Sequence, residues 1–112
     1  MTPADIVQRQ LDTYNAQDLD GFCACFGEDV ELAGFNGPVT NRGQASLRER
    51  YGGLFKHFPQ NHAKILHRAV VGNVVVDHEE IIRAPGQAPF YVVAIYTIEH
   101  GLIARADFVR DT

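Results

Sequence analysis

With 112 residues, the chain is long enough for one domain and too short for two with separate cores, and its 46% hydrophobic and 21% charged residues match an ordinary soluble globular protein. A net charge of −4, without any run of Lys or Arg, argues against a nucleic-acid surface, which needs clustered positive charge. The longest apolar stretch, Val70-Val71 and Val74–Val76 around a Gly-Asn break, is far short of a membrane span. Met1 runs directly into Thr-Pro-Ala-Asp, with neither the basic start nor the apolar stretch of an export signal, so a cytoplasmic protein is expected.

Helical signals come first. Thr2 is a good N-cap, Pro3 suits the first helical position, and Asp5 completes a capping-box-like pattern. Ala4, Val7, Leu11 and Tyr14 form an amphipathic stripe ending near Asn15. Asp18 can cap a second short helix with Leu19, Phe22, Cys23 and Phe26 on one side, closed by Gly27. Cys23 and Cys25, two positions apart in this pattern, point to opposite sides and cannot pair with each other; they read as small core-filling residues. Val30–Ala33 reads as a short strand and Phe35-Asn36-Gly37-Pro38 as a turn. A third helix runs from about Gln44 to His57, with Leu47, Tyr51, Leu54, Phe55 and Phe58 at helical spacing, and Pro59 stops it. Gly52-Gly53 costs that helix about 1 kcal/mol per glycine, so close packing or room over a cavity is expected in return.

Everything after Pro59 reads as strand. His62–Val71 and Val74–Arg83 are joined by Gly72-Asn73, a two-residue hairpin signal. A proline-bearing loop, Ala84 to Pro89, leads to Phe90–Glu99, and His100-Gly101 turns the chain into Leu102–Arg110. The class is α+β: three helices on a curved antiparallel sheet.

Three segments carry a resemblance: Tyr14-Asn15-Ala16-Gln17-Asp18-Leu19-Asp20-Gly21-Phe22, Phe26-Gly27-Glu28-Asp29-Val30-Glu31-Leu32 and Gly101-Leu102-Ile103-Ala104-Arg105. In that order, with Gly43-Gln44-Ala45-Ser46-Leu47-Arg48 between them, they resemble the SnoaL-like branch of the nuclear transport factor 2-like superfamily over nearly the whole chain, residues 1–112. That superfamily includes ketosteroid isomerases, polyketide cyclases and limonene-epoxide hydrolases. The resemblance implies a cone-shaped sheet wrapping an apolar pocket against three N-terminal helices, usually within a homodimer.

Strand pairing then orders the candidate site. A two-residue Gly72-Asn73 turn sets Val71 opposite Val74, Ala69 opposite Val76, His67 opposite His78 and Ile65 opposite Glu80. The other face sets Arg68 opposite Asp77, with Lys64 and Glu79 diagonal, a charge pattern suited to a solvated face. The expected interior therefore holds His67, His78 and Glu80; a one-residue slip would exchange the faces and make Asp77 the candidate base. A two-residue His100-Gly101 turn, matched to the isomerase pattern, places Val93, Ile95, Ala104, Ala106 and Phe108 inside. Phe90, Val92, Tyr96 and Ile98 are then left outside, where a second subunit would cover them.

Ketosteroid isomerases use a carboxylate base with a tyrosine and a protonated acid as donors. Carried over on the resemblance, the base position falls at Gly34, the tyrosine at Gln10 and the second acid near Val93, none of which can serve. The Asp-Arg-Asp set of the epoxide hydrolases fails as well, since its last aspartate falls at about Phe108 and the adjacent Asp107 points to the other face. The polar set that remains is His67, His78 and Glu80 as catalytic candidates, with Tyr14 and Tyr51 across from them. A histidine beside a carboxylate can act near neutral pH as a general base for enolisation or aldol-type cyclisation. The same three side chains would also suit zinc, but no family metal motif accompanies them, and no metal or cofactor is assigned. His57, His62 and His100 lie near element ends and read as solvated. Tyr14, Phe26, Tyr51, Phe55, Val93, Ile95, Ala106 and Phe108 are the expected lining for a small apolar ligand. The expected function is acid–base chemistry on an apolar carbonyl compound, with a non-catalytic ligand-binding or dimerisation module as the alternative.

Overall fold

Thr2 opens α1 (Pro3–Asn15) with a complete capping box: its hydroxyl accepts the Asp5 N–H at 3.2 Å, and its own N–H donates to the Asp5 carboxylate at 2.9 Å. The computed structural model describes residues 1–111. Asp18 caps α2 (Leu19–Cys23) by accepting the Gly21 N–H at 3.0 Å. β1 (Phe26–Gly34) and β2 (Val39–Arg42) form a hairpin around the expected turn, and α3 (Gly43–His57) follows directly. β3 (His62–Val71), β4 (Val74–Ile82), β5 (Phe90–Glu99) and β6 (Leu102–Arg110) then run as a meander. Among the described residues no helix is long and apolar enough to cross a membrane.

The six strands form one curved, unclosed sheet in the order β2-β1-β6-β5-β4-β3. All neighbours are antiparallel except β1 and β6, which pair in parallel; that pairing, the length of β1 and the existence of β2 are additions to the expected antiparallel sheet. Val7, Leu11, Phe22, Leu47 and Phe55 pack from the helices onto the inner face of the sheet and make one core with Val30, Leu32, Val75 and Ile103. Both cysteines are buried there and unpaired.

A bulge interrupts the register of the β3–β4 hairpin and another that of the β5–β6 hairpin, and the second decides which side chains of β5 enter. The Gly72-Asn73 turn sets the expected pairs from Val71 with Val74 down to His67 with His78, and a bulge then brings Ile65 opposite Glu79 rather than Glu80. The buried row of β4 is Val75, Asp77, Glu79 and Ile81, so His67, His78 and Glu80 belong to the outer face, contrary to expectation. Each face of β4 mixes valine or isoleucine with two polar residues, Asp77 and Glu79 inside and His78 and Glu80 outside, so its own alternation cannot choose; its neighbour β5 and the helices do. At the second hairpin, Ile98 pairs with Ile103 but Thr97 pairs with Arg105, leaving Ala104 as the extra residue of a bulge. One inserted residue turns β5 over. Phe90, Val92, Ala94, Tyr96 and Ile98 point inward, and Val93 and Ile95, expected inside, point outward. The four large residues expected to cover a dimer interface are therefore core.

Candidate functional site

A cavity of about 320 Å³ lies between α1, α3 and the inner face of the sheet. Its buried lining comes from Gln10, Leu11 and Tyr14 on α1, Tyr51 on α3, and Glu79, Val92 and Tyr96 on the sheet. More exposed residues, Arg50, His57, Phe58, Arg83, Phe108 and Arg110, mark its mouth. The volume sits at the low end of the roughly 300–1,000 Å³ usual for ligand cavities.

The two α3 glycines divide the roles expected of them. A Cβ on Gly52 would lie 3.3 Å from the Leu19 side chain, so this glycine lets α2 and α3 approach closely. A Cβ on Gly53 would meet nothing within 4 Å, and Gly53 lines the cavity. The helix thus accepts one glycine for packing and one for open volume.

At the floor of the cavity stands Glu79, only 8% exposed. Burial pushes its carboxyl up to about 7, and the neighbouring Asp77 charge pushes in the same direction. Arg68 and a hydrogen bond from Tyr96 oppose the shift without cancelling it. Asp77, 1% exposed, is held by a fork of two bonds from Arg68, Nε at 2.6 Å and Nη2 at 2.9 Å. Arg68 also donates to Gln8 on α1 at 2.8 Å, which ties this pair to the helix above it. One inward carboxylate of β4 is therefore fully paired and the other, two residues on, is left to titrate near neutrality.

The tyrosines around Glu79 stay protonated. Burial raises the Tyr51 hydroxyl to about 12, raises Tyr14, and carries Tyr96 well above its ordinary value. Arg83 lies just beyond β4 and donates to the Tyr14 hydroxyl oxygen at 3.3 Å and to Asn61 Oδ1 at 2.9 Å. Receiving that charged donor polarises the Tyr14 O–H, which makes it a better donor to a ligand oxygen.

The residues expected from the sequence divide between cavity, core and outer face. Tyr14, Tyr51 and Phe108 line the cavity. Phe26 and Phe55 pack instead around Phe22, with ring centroids at 4.9 and 5.9 Å, and Ala106 is buried beneath the helices without lining the cavity. On the outer face the His67 and His78 rings stack 5.8 Å apart, and Glu80 accepts a hydrogen bond from the Tyr91 hydroxyl at 3.2 Å. Val93 and His78 border a shallow outer hollow, and Ile95 shares that face. Among the described residues no three His, Cys, Asp or Glu side chains are grouped to hold a metal ion. Sequence reasoning missed Glu79, Tyr96 and Arg83. One signal was present: adjacent Glu79 and Glu80 in a strand point to opposite faces, so whichever face is buried, one carboxyl goes with it.

Comparison with known proteins agrees with this architecture. The chain aligns at 32% identity with an uncharacterized cystatin-fold protein of Novosphingobium aromaticivorans, over 98% of this chain and 99% of that one, with a TM-score of 0.91. A candidate polyketide cyclase of Sinorhizobium meliloti follows at 24% identity, 94% of each chain and a TM-score of 0.80. An NTF2-like protein of unknown function from Cytophaga hutchinsonii superposes with a TM-score of 0.82 at 16% identity, over 99% of this chain and 91% of that one. No curated protein matches the chain by sequence. Residues 7–106 match the model of the SnoaL-like domain, and the chain belongs to that family.

Proposed function

We propose that the protein catalyses cofactor-free proton transfer on a small apolar carbonyl compound, with Glu79 as the general base. The observation that carries this reading is a buried carboxyl at the floor of the cavity, held near neutral pKa by burial. Glu79 removes a proton from the carbon next to the carbonyl, and the negative charge moves to the carbonyl oxygen. Tyr14, with Arg83 behind it, donates its O–H to that oxygen. Returning the same proton from Glu79 to another carbon gives isomerisation. Attack of the enolate carbon on a second carbonyl of the same molecule gives cyclisation, and Glu79 then protonates the new alkoxide. Each route restores Glu79 to its starting form.

The test is deuterium exchange next to the carbonyl of 2-tetralone in heavy water, followed by proton NMR. Glu79→Gln keeps size and shape, and exchange should fall on the order of 10²-fold or more, the usual effect of losing a general base. Equal exchange by both proteins would leave the cavity as a binding site without catalysis.

Within the same reading the protein is a homodimer, joined through the outer face of the sheet. Val74, Val76, Ile82, Val93 and Ile95 lie together there, half-buried in the single chain, and a second copy would complete their burial. Ile95→Asp should yield monomers in analytical ultracentrifugation; an unmutated protein that is already monomeric at high micromolar concentration removes this part. The two unpaired, buried cysteines suit the reducing cytoplasm in which we place the chemistry.

A further inference from the structure

We infer that the ligand of this cavity carries an anionic group, a carboxylate or a phosphate, at the end away from its reacting carbonyl, and that a ring of arginines and phenylalanines at the cavity mouth holds it. The inference rests on the reading that the cavity takes an apolar carbonyl compound, and it adds the chemistry of that compound's other end.

Four ring contacts build the mouth. The Arg50 guanidinium lies 5.7 Å from the Phe108 ring centre, and the Arg110 guanidinium lies 4.7 Å from that of Phe90. Arg83 lies 4.8 Å from Phe90 and 5.8 Å from Phe58. Phe90 is thus flanked by two guanidinium groups, and all six residues line the same cavity. Stacking engages the face of a guanidinium and leaves its N–H edge for acceptors.

Partners set Arg50 and Arg83 apart from four other arginines. Arg42, Arg48, Arg68 and Arg105 each bridge an Asp or Glu. Among the described residues no carboxylate bridges Arg50 or Arg83, whose hydrogen-bond acceptors are the neutral Asn41, Asn61 and Tyr14. A chain of net charge −4, with 14 acidic residues, has gathered positive charge at one opening, and among the described residues that line the cavity Glu79 is the one acid. The acid that does line the cavity, Glu79, is at the floor, where an anion would be repelled. A ligand with its carbonyl toward Glu79 and an anion toward the mouth satisfies both ends. Arginine beside aromatic rings suits such an anion, because the fork matches carboxylate or phosphate oxygens and the apolar rim strengthens the bonds.

The experiment is calorimetric titration of the unmutated protein with matched pairs: 4-oxo-4-phenylbutanoate against its methyl ester, and 4-oxo-4-phenylbutyl phosphate against 4-hydroxy-1-phenylbutan-1-one. At least one anion should bind on the order of 10-fold or more tighter than its neutral partner. That gain should shrink between low and 0.5 M salt, and Arg50→Gln combined with Arg110→Gln should remove it while the neutral compounds bind as before. The pair with the larger gain tells a free carboxylic acid from a phosphate-bearing ligand. Equal binding of anions and neutral partners, or a gain that survives the double substitution, overturns the inference and leaves the proposed function intact. Failure of all four compounds to bind overturns both.

Discussion

Replacing Glu79 by Gln should stabilise the protein, and only above a definite pH. The carboxyl has an ordinary value of 4.5 and stands at about 7 in the folded chain, so the native state holds its proton more tightly than the unfolded state does. Below pH 4.5 both states are protonated and the site costs nothing. As pH rises toward 7 the unfolded state ionises first, stability is lost, and above 7 the loss is complete. A difference of this size corresponds to about 3 kcal/mol at 1.36 kcal/mol per unit. Burial sets most of it, with Asp77 on β4 adding and Arg68 on β3 and Tyr96 on β5 opposing. Gln cannot ionise, so Glu79→Gln should match the parent in urea unfolding near pH 4.5 and exceed it by up to about 3 kcal/mol at pH 8. A difference between the two proteins that stays constant from pH 4.5 to 8 would refute the placement of a titrating carboxyl in this site.

Arg68→Met leaves the fully buried Asp77 without its fork and should cost about 3–5 kcal/mol in urea unfolding at pH 7. Gly53→Ala should stabilise α3 by about 1 kcal/mol, since the added Cβ meets nothing. Gly53→Leu should fold equally well and abolish calorimetric binding of 2-tetralone by filling the cavity. Leu47→Ala, at a fully buried site of α3, should cost about 2–5 kcal/mol, which separates loss of core from loss of cavity.

Most of the fold was legible because its signals are local. Thr2, Pro3 and Asp5 mark the start of α1, Pro59 follows the end of α3, and Gly72-Asn73 and His100-Gly101 sit at the hairpin turns. The resemblance carried by Tyr14–Phe22 and Phe26–Leu32 supplied the architecture that these signals alone leave open. The site was less legible, for a reason that is also local. A bulge shifts pairing by one residue without any required residue type, and in a strand one residue is a whole face. The extra residue Ala104 moves Tyr96 in and Val93 and Ile95 out. On β4 the opposed Arg68 and Asp77 were read as a solvated pair, because charge usually seeks water. Once each neutralises the other with a two-bonded fork, burial becomes affordable, and Glu79 follows Asp77 inward by alternation. Tyr14 and Tyr51 escaped this ambiguity, since helical stripes are not inverted by a bulge in the sheet.

The most direct measurement of the central claim is the pH dependence of deuterium exchange into 2-tetralone, for the parent protein and for Glu79→Gln. A base that must be ionised to act gives a rate rising with pH to a plateau, with a midpoint near the folded value of about 7, and Glu79→Gln should remove that rise entirely. A midpoint near 4.5, or a rise that persists in Glu79→Gln, would contradict the account.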